Sequence, residues 1–186
     1  MRKLLRICAA LPSFSLLFVQ APLASADDTI CRGTLGARTV DNLVVPDGAA
    51  CKLIGTQVKG NVFVETGATL RAKNIDVDGN IQAEGHKLVQ VSGNSTVGGS
   101  IQVKQGKRAV IDRVIVDGNV QLEQNTRSID LTRNAVGANM QVNQNTGGVF
   151  IAKNTIAQAL QCQANDPPPT GGGNIAGDKE DQCAGL

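Results

Sequence analysis

The sequence predicts an all-β fold: a single-domain, right-handed parallel β-helix with about 19–20 residues per rung and three short strands in each. Three observations carry this. The stretch Val77–Ala83 (VDGNIQA) recurs as VKGNVFV from Val58, VGGSIQV from Val97, VDGNVQL from Val116, VGANMQV from Val136 and IAQALQC from Ile156, at steps of 19, 20, 19, 20 and 20 residues. A near-constant step of this size marks a solenoid, in which each repeat buries its apolar side only against its neighbours. Within a repeat, apolar and polar residues alternate, which is the strand period. Aromatic bulk is nearly missing: after residue 26 only Phe63 and Phe150 remain, with no Trp or Tyr. A narrow bore filled by stacked Val, Ile, Leu and Ala needs none.

Residues 1–26 read as a secretory signal peptide. Arg2, Lys3 and Arg6 precede an apolar run from Ile7 to Val19, and Ala24-Ser25-Ala26 fits a cleavage site before Asp27. The run is short for a membrane span and no second one follows, so no membrane insertion is expected. The expected location is secreted or periplasmic. Residues 27–162 are assigned to the β-helix with its N-terminal cap, the repeat reaching back to about Thr39. The first strand of each rung points inward at Val62/Val64, Ile81/Ala83, Ile101/Val103, Val120/Leu122, Met140/Val142 and Leu160/Cys162. The second does so at Leu70/Ala72, Val89/Val91, Ala109/Ile111, Ile129/Leu131 and Val149/Ile151, and the third at Val77, Val97, Val116, Val136 and Ile156. Gly and Asn between strands accept the positive φ of corners. A hexapeptide-type left-handed helix would hold a strict 18-residue rung; one-residue slips favour the right-handed form. Residues 163–186 are assigned to a Pro/Gly-rich cap, because Pro167-Pro168-Pro169 removes ladder donors and Gly171–Gly173 loosens the chain.

Four cysteines follow the signal. Cys51 and Cys162 sit on rungs near opposite ends, roughly 25 Å apart at about 4.8 Å per rung, too far for a bond. The pairing predicted is therefore Cys31 with Cys51 and Cys162 with Cys183, one staple per end.

Motifs for catalysis are thin, and no enzymatic activity, cofactor or metal is expected. The one histidine, His86, falls at a corner and reads as a solvated polar residue rather than a base. Asn74–Asn80 resembles the start of a calcium loop but has Gly85 where the closing Glu belongs. Asn61, Asn80, Ser100, Asn119 and Asn139 form one corner column; Asn94, Asn134 and Asn154 form a second. Stacked amides bond to corner backbone and to one another. Asn94-Ser95-Thr96 matches a glycosylation acceptor, which a ladder position would disfavour. Gln82, Gln102, Gln121, Gln141 and Gln161 form an outward amide ladder, either stabilising in itself or a flat surface for a glycan or a second copy. No regular Thr column suggests ice binding.

Charge adds a surface. Beyond the signal, 15 basic residues face 16 acidic ones, so bulk electrostatics give no reason to expect nucleic acid. Lys87, Lys107 and Arg127 precede the second strand, while Arg113, Arg133 and Lys153 follow it. On successive rungs these become two basic columns along the edges of one face, suited to an extended anionic polymer such as an acidic polysaccharide.

The GN-[VI]-Q repeat, Gly171–Asn174 and the closing Asp178–Cys183 resemble exported bacterial β-helix repeat proteins of unassigned activity, over nearly all of residues 30–186. The rung is also similar to that of bactofilins, cytoskeletal polymers whose G-[DN]-I rungs build β-helices, though these lack the export signal and both cysteine staples. The resemblance implies a β-helix and export, and no reaction. The function expected is a non-catalytic extracytoplasmic β-helix offering a rigid surface to an acidic polysaccharide or envelope component, or to further copies as a self-assembling structural polymer. The competing reading is a polysaccharide lyase or epimerase, but rungs without insertions foretell no pocket.

Overall fold

The computed structural model describes residues 28–186; the predicted signal, residues 1–26, lies outside them. The described chain is a parallel β-solenoid of about eight coils, with no helix among the described residues. Each coil lays one strand on each of three faces. Face A carries Asn42–Val45, Val62–Val64, Ile81–Glu84, Ile101–Lys104, Val120–Glu123 and Met140–Asn143. Face B carries Ala50–Ile54, Thr69–Lys73, Ile129–Thr132 and Val149–Ala152, and face C carries Gln57–Val58, Asp76–Val77 and Ala135–Val136. Leu88–Val97 and Arg108–Val116 each run through faces B and C, and Thr155–Gln163 runs through C into A.

Each residue stacks on its counterpart one coil away. Gln82 pairs with Gln102, Gln102 with Gln121, Gln121 with Gln141 and Gln141 with Gln161. All the inward positions predicted on the three strands are buried. Leu70, Ile81, Ile101, Ile111, Leu122, Leu131, Met140 and Ile151 fill the bore, each worth about 1.5–3 kcal/mol by burial.

The alternation of 19 and 20 residues is accommodated at corners. The register between Leu88–Val97 and Arg108–Val116 shifts between Ser92 and Ser95, so one coil bulges at Gly93 and Asn94. Two coils later the extra residue moves to the corner between faces A and B: Ile101 pairs with Val120, but Ala109 with Ile129. Positive φ appears at Asn74, Arg113, Arg133 and Lys153 on the B–C corner and at Gln105, Gln124 and Gln144 on the A–B corner. On the C–A corner glycine has another purpose. A Cβ on Gly118 would lie 2.5 Å from Ser100 Oγ and 2.7 Å from the Gly99 carbonyl, so the coils approach closely at this glycine, whereas Ala138 takes the same place one coil later.

Both ends differ from expectation. Asp28–Ile30 already pairs with Asn42–Val44, and Gly33–Leu35 with Cys51–Leu53, so the solenoid begins before Thr39. Residues 163–186 are not a rungless cap. Thr170–Gly172 pairs with Phe150–Ala152, and Ile175–Asp181 extends along Thr155–Cys162. The prolines fall in the corner between faces A and B, where no strand ladder needs their missing N–H groups. Capping is left to the last residues, with Cys183 buried and Leu186 packed on the core. Both disulfides pair as predicted, Cys31–Cys51 with Cα atoms 5.6 Å apart and Cys162–Cys183 with 5.2 Å, each joining a terminal coil to its neighbour.

Candidate functional site

On face A, Gln102 Nε2 donates to Gln121 Oε1 at 3.0 Å, Gln121 to Gln141 and Gln141 to Gln161 at 2.8 Å, and Gln161 to Glu180 Oε2 at 2.8 Å. Gln82 keeps the register, with Phe63 in its place one coil earlier. Each amide in the run satisfies its neighbour and is half-buried, so the ladder stiffens this face by itself.

At the C–A corner the backbone N–H of Asn80, Ser100, Asn119 and Asn139 each donates to the side chain one coil earlier, as the first predicted column requires. The second column needs one correction. The bulge leaves Asn94 exposed and puts Ser95 in the ladder: Ile75 N–H donates to Ser95 Oγ at 3.1 Å. Val114 N–H donates to Asn134 Oδ1, and Asn134 and Asn154 pass the pattern to Asn174. The ladder argument against Asn94 as an acceptor therefore falls.

A third, buried column was missed: Asn125, Asn145 and Asn165 at the A–B corner. Asn145 Oδ1 accepts the Asn125 N–H at 2.9 Å and its Nδ2 at 3.0 Å, while Asn145 Nδ2 donates to the Leu122 carbonyl and to Asn165 Oδ1. The repeated Gln-Asn-Thr at 124–126 and 144–146 was its signal. His86 occupies the start of this column. It is not solvated: the residue is fully buried, and neither ring nitrogen has a partner. Burial pulls its pKa from 6.5 down to about 4, against a smaller raising effect of the Arg108 backbone. The imidazole lies over Gly106, where a Cβ would come within 2.1 Å of the ring.

Charge on face B is where the two basic columns meet solvent. Lys87, Lys107 and Arg127 are exposed along one edge, and Arg113, Arg133 and Lys153 along the other. The second column is partly neutralised. Asp112 bonds both Arg133 and Arg113, the latter at 3.1 Å, and accepts from Thr132 Oγ1 at 2.7 Å. Burial raises the Asp112 pKa, but the Thr132 hydroxyl and the two guanidinium groups outweigh it and hold the carboxyl below its usual range. Arg108 faces Asp130 at 3.3 Å. Among the described residues, Lys87, Lys107, Arg127 and Lys153 have no carboxylate within ion-pair distance.

Three further cations lie on face B that column counting along its edges overlooked: Lys52, Arg71 and Lys73, all exposed. Lys52 pairs in register with Arg71, and their 19-residue spacing was the available signal. Ten of the 15 basic residues beyond residue 26 thus lie on face B or its edges, while its strands carry two carboxylates, Asp112 and Asp130, and Asp166 stands at the A–B corner.

Face A carries the opposite sign. The expectation of no pocket is not met there: an open groove of about 920 Å³ is lined by Asp28, Asp47, Glu65, Glu84, Phe63, Gln82, Gln102 and Lys104, among others. Lys104, the one cation lining it, is drawn to Glu123 at 3.3 Å. Among the described residues no group of three His, Cys, Asp or Glu side chains could hold a metal ion, and no helix is long and apolar enough to cross a membrane.

The chain matches no protein-family model, no curated protein and no solved structure.

Proposed function

We propose that the chain is an exported, non-catalytic β-solenoid whose face B binds an extended anionic polysaccharide. The observation that carries this is the segregation of charge: ten cations on one face and its edges, with two carboxylates on its strands and Asp166 at one corner, in a chain that is nearly neutral beyond residue 26. Like charges stacked at a coil spacing of about 4.8 Å repel, so the columns lower stability unless something offsets them. A polyanion lying along the solenoid axis would meet one or more cations at each coil from that of Lys52 to that of Lys153. Export is supported by the predicted signal and by two disulfides, which persist in oxidising compartments.

The test is retention of the chain lacking residues 1–26 on immobilised polyuronate and on a neutral glucan, across rising salt. Retention on the polyuronate alone, falling as salt screens the charges, is the expected result. Charge reversal at Lys107 and Arg127 should weaken it without lowering the melting temperature. Equal behaviour on both polymers overturns the proposal.

A further inference from the structure

Face B is not uniformly basic along its length. Toward the C-terminal end Asp112 and Asp130 engage Arg113, Arg133 and Arg108. Toward the N-terminal end a shallow groove of about 400 Å³ opens, and no carboxylate lines it. Its polar lining is Lys52, Arg71, Lys73, Asn74, Gln90 and Ser92, with Ile54 as an apolar wall. A space of that size admits a small ligand, not a whole polymer.

Resting on the anionic-polysaccharide reading above, we infer that this groove is the primary subsite of face B, taking one or two saccharide units that carry an oxyanion, carboxylate or sulfate. Three features argue for it. Arg71 is oriented before a ligand arrives: its Nη1 donates to Gln90 Oε1 at 2.6 Å. A pre-oriented Arg can meet an oxyanion through two parallel N–H groups, while Lys52 and Lys73 supply point charge on either side. Asn74 Oδ1 already accepts the Asn94 N–H at 3.3 Å, so the donors of its amide are what it has left to offer. Ile54, 40 % exposed, presents an apolar surface for the C–H side of a sugar ring. The columns beyond the groove, Lys87 onward, would then extend the contact with ligand length.

Short and long ligands separate the groove from the columns. Titration calorimetry of the chain lacking residues 1–26 would use a uronic-acid trisaccharide, a sulfated trisaccharide and a neutral trisaccharide. Binding of one or both anionic trimers, and not of the neutral one, is expected; which anionic trimer is preferred identifies the oxyanion. Arg71→Gln with Lys73→Gln should weaken trimer binding at least tenfold, whereas Lys107→Gln with Arg127→Gln should change it less than twofold. Both pairs should weaken retention on the long polymer. Gln90→Ala, which leaves every charge in place, should weaken the trimer several-fold by freeing Arg71. Thermal melts check that each variant is folded. Trimer binding indifferent to the groove variants, or lost equally in both pairs, overturns the subsite. So does polymer retention without any trimer binding, an outcome that leaves the broader function standing. Failure of the polymer itself to be retained falls on the function.

Discussion

The A–B corner is built in two different ways at the two ends of the molecule. Near the N-terminus the backbone closes it: Ala49 N–H donates to the Pro46 carbonyl and Ala68 N–H to the Glu65 carbonyl, each through a turn with a glycine at positive φ, Gly48 or Gly67. Near the C-terminus side chains close it, with Asn125, Asn145 and Asn165 each filling the corner and bonding to the coils beside it. Where the two constructions meet stand His86 and Gly106. There the corner is filled by an imidazole whose nitrogens bond to nothing, over a glycine that exists to make room for it. A corner can thus satisfy its polar groups through backbone or through side chain, and the changeover between the two leaves a polar group unpaired.

The comparison can be broken most severely at its well-satisfied end. Asn145→Ala would strand the buried Asn125 N–H and take a donor from the Leu122 carbonyl, while the Asn125 amide keeps the Val103 carbonyl and Asn165 Oδ1 keeps the N–H of residue 145. A loss of about 2–4 kcal/mol is expected, read by denaturant unfolding. A cost below that of a surface substitution would mean water replaces the ladder.

Acid acts on the unsatisfied junction. His86 titrates near 4 in the fold and near 6.5 when unfolded, so its contribution is present above pH 6.5 and lost as pH falls toward 4. The decline amounts to about 3 kcal/mol at about 1.4 kcal/mol per pH unit. Asp112, with its pKa lowered, loses stability in the same direction only at lower pH. Unfolding of His86→Ala followed from pH 7 to 4 should show the slope removed. An unchanged slope would place the titrating group elsewhere.

Gly106→Ala tests the fit of ring to glycine. Its methyl would overlap the buried imidazole, costing about 1–3 kcal/mol, and His86→Ala in the same chain should abolish that cost. Additive effects would show that the two residues do not interact. The smallest effect belongs to the outer ladder. Gln121→Ala removes two half-exposed amide bonds and should cost under about 1 kcal/mol by thermal melt.

What could be read from the sequence was whatever repeats along straight segments. Inward and outward positions, the Gln register and both cysteine pairings follow from a period of two inside strands and of 19 or 20 between them. Corners were less legible. One extra residue there decides whether a side chain enters the bore, and nothing local reveals where it falls. That is why His86 read as solvated, why Asn94 took the place of Ser95, and why the Asn125 column went unseen. The triple proline misled for a related reason, since its cost applies to strands and it lies in a corner. Lys52 and Arg71 were within reach, one period apart, but they sit within face B and the basic columns were sought along its edges.

The disulfides give this stack a mechanical character. Hydrogen bonds between coils run along the long axis, so a pull on the two ends would load them coil by coil, like a zip, rather than all together in shear. An unstapled stack would peel from its termini at low force. Here the end coils are closed into loops by Cys31–Cys51 and Cys162–Cys183, and those loops cannot lengthen while the bonds remain. Tension is therefore passed inward to the coils between Cys51 and Cys162, and reducing agent would change where the rod yields as well as how readily.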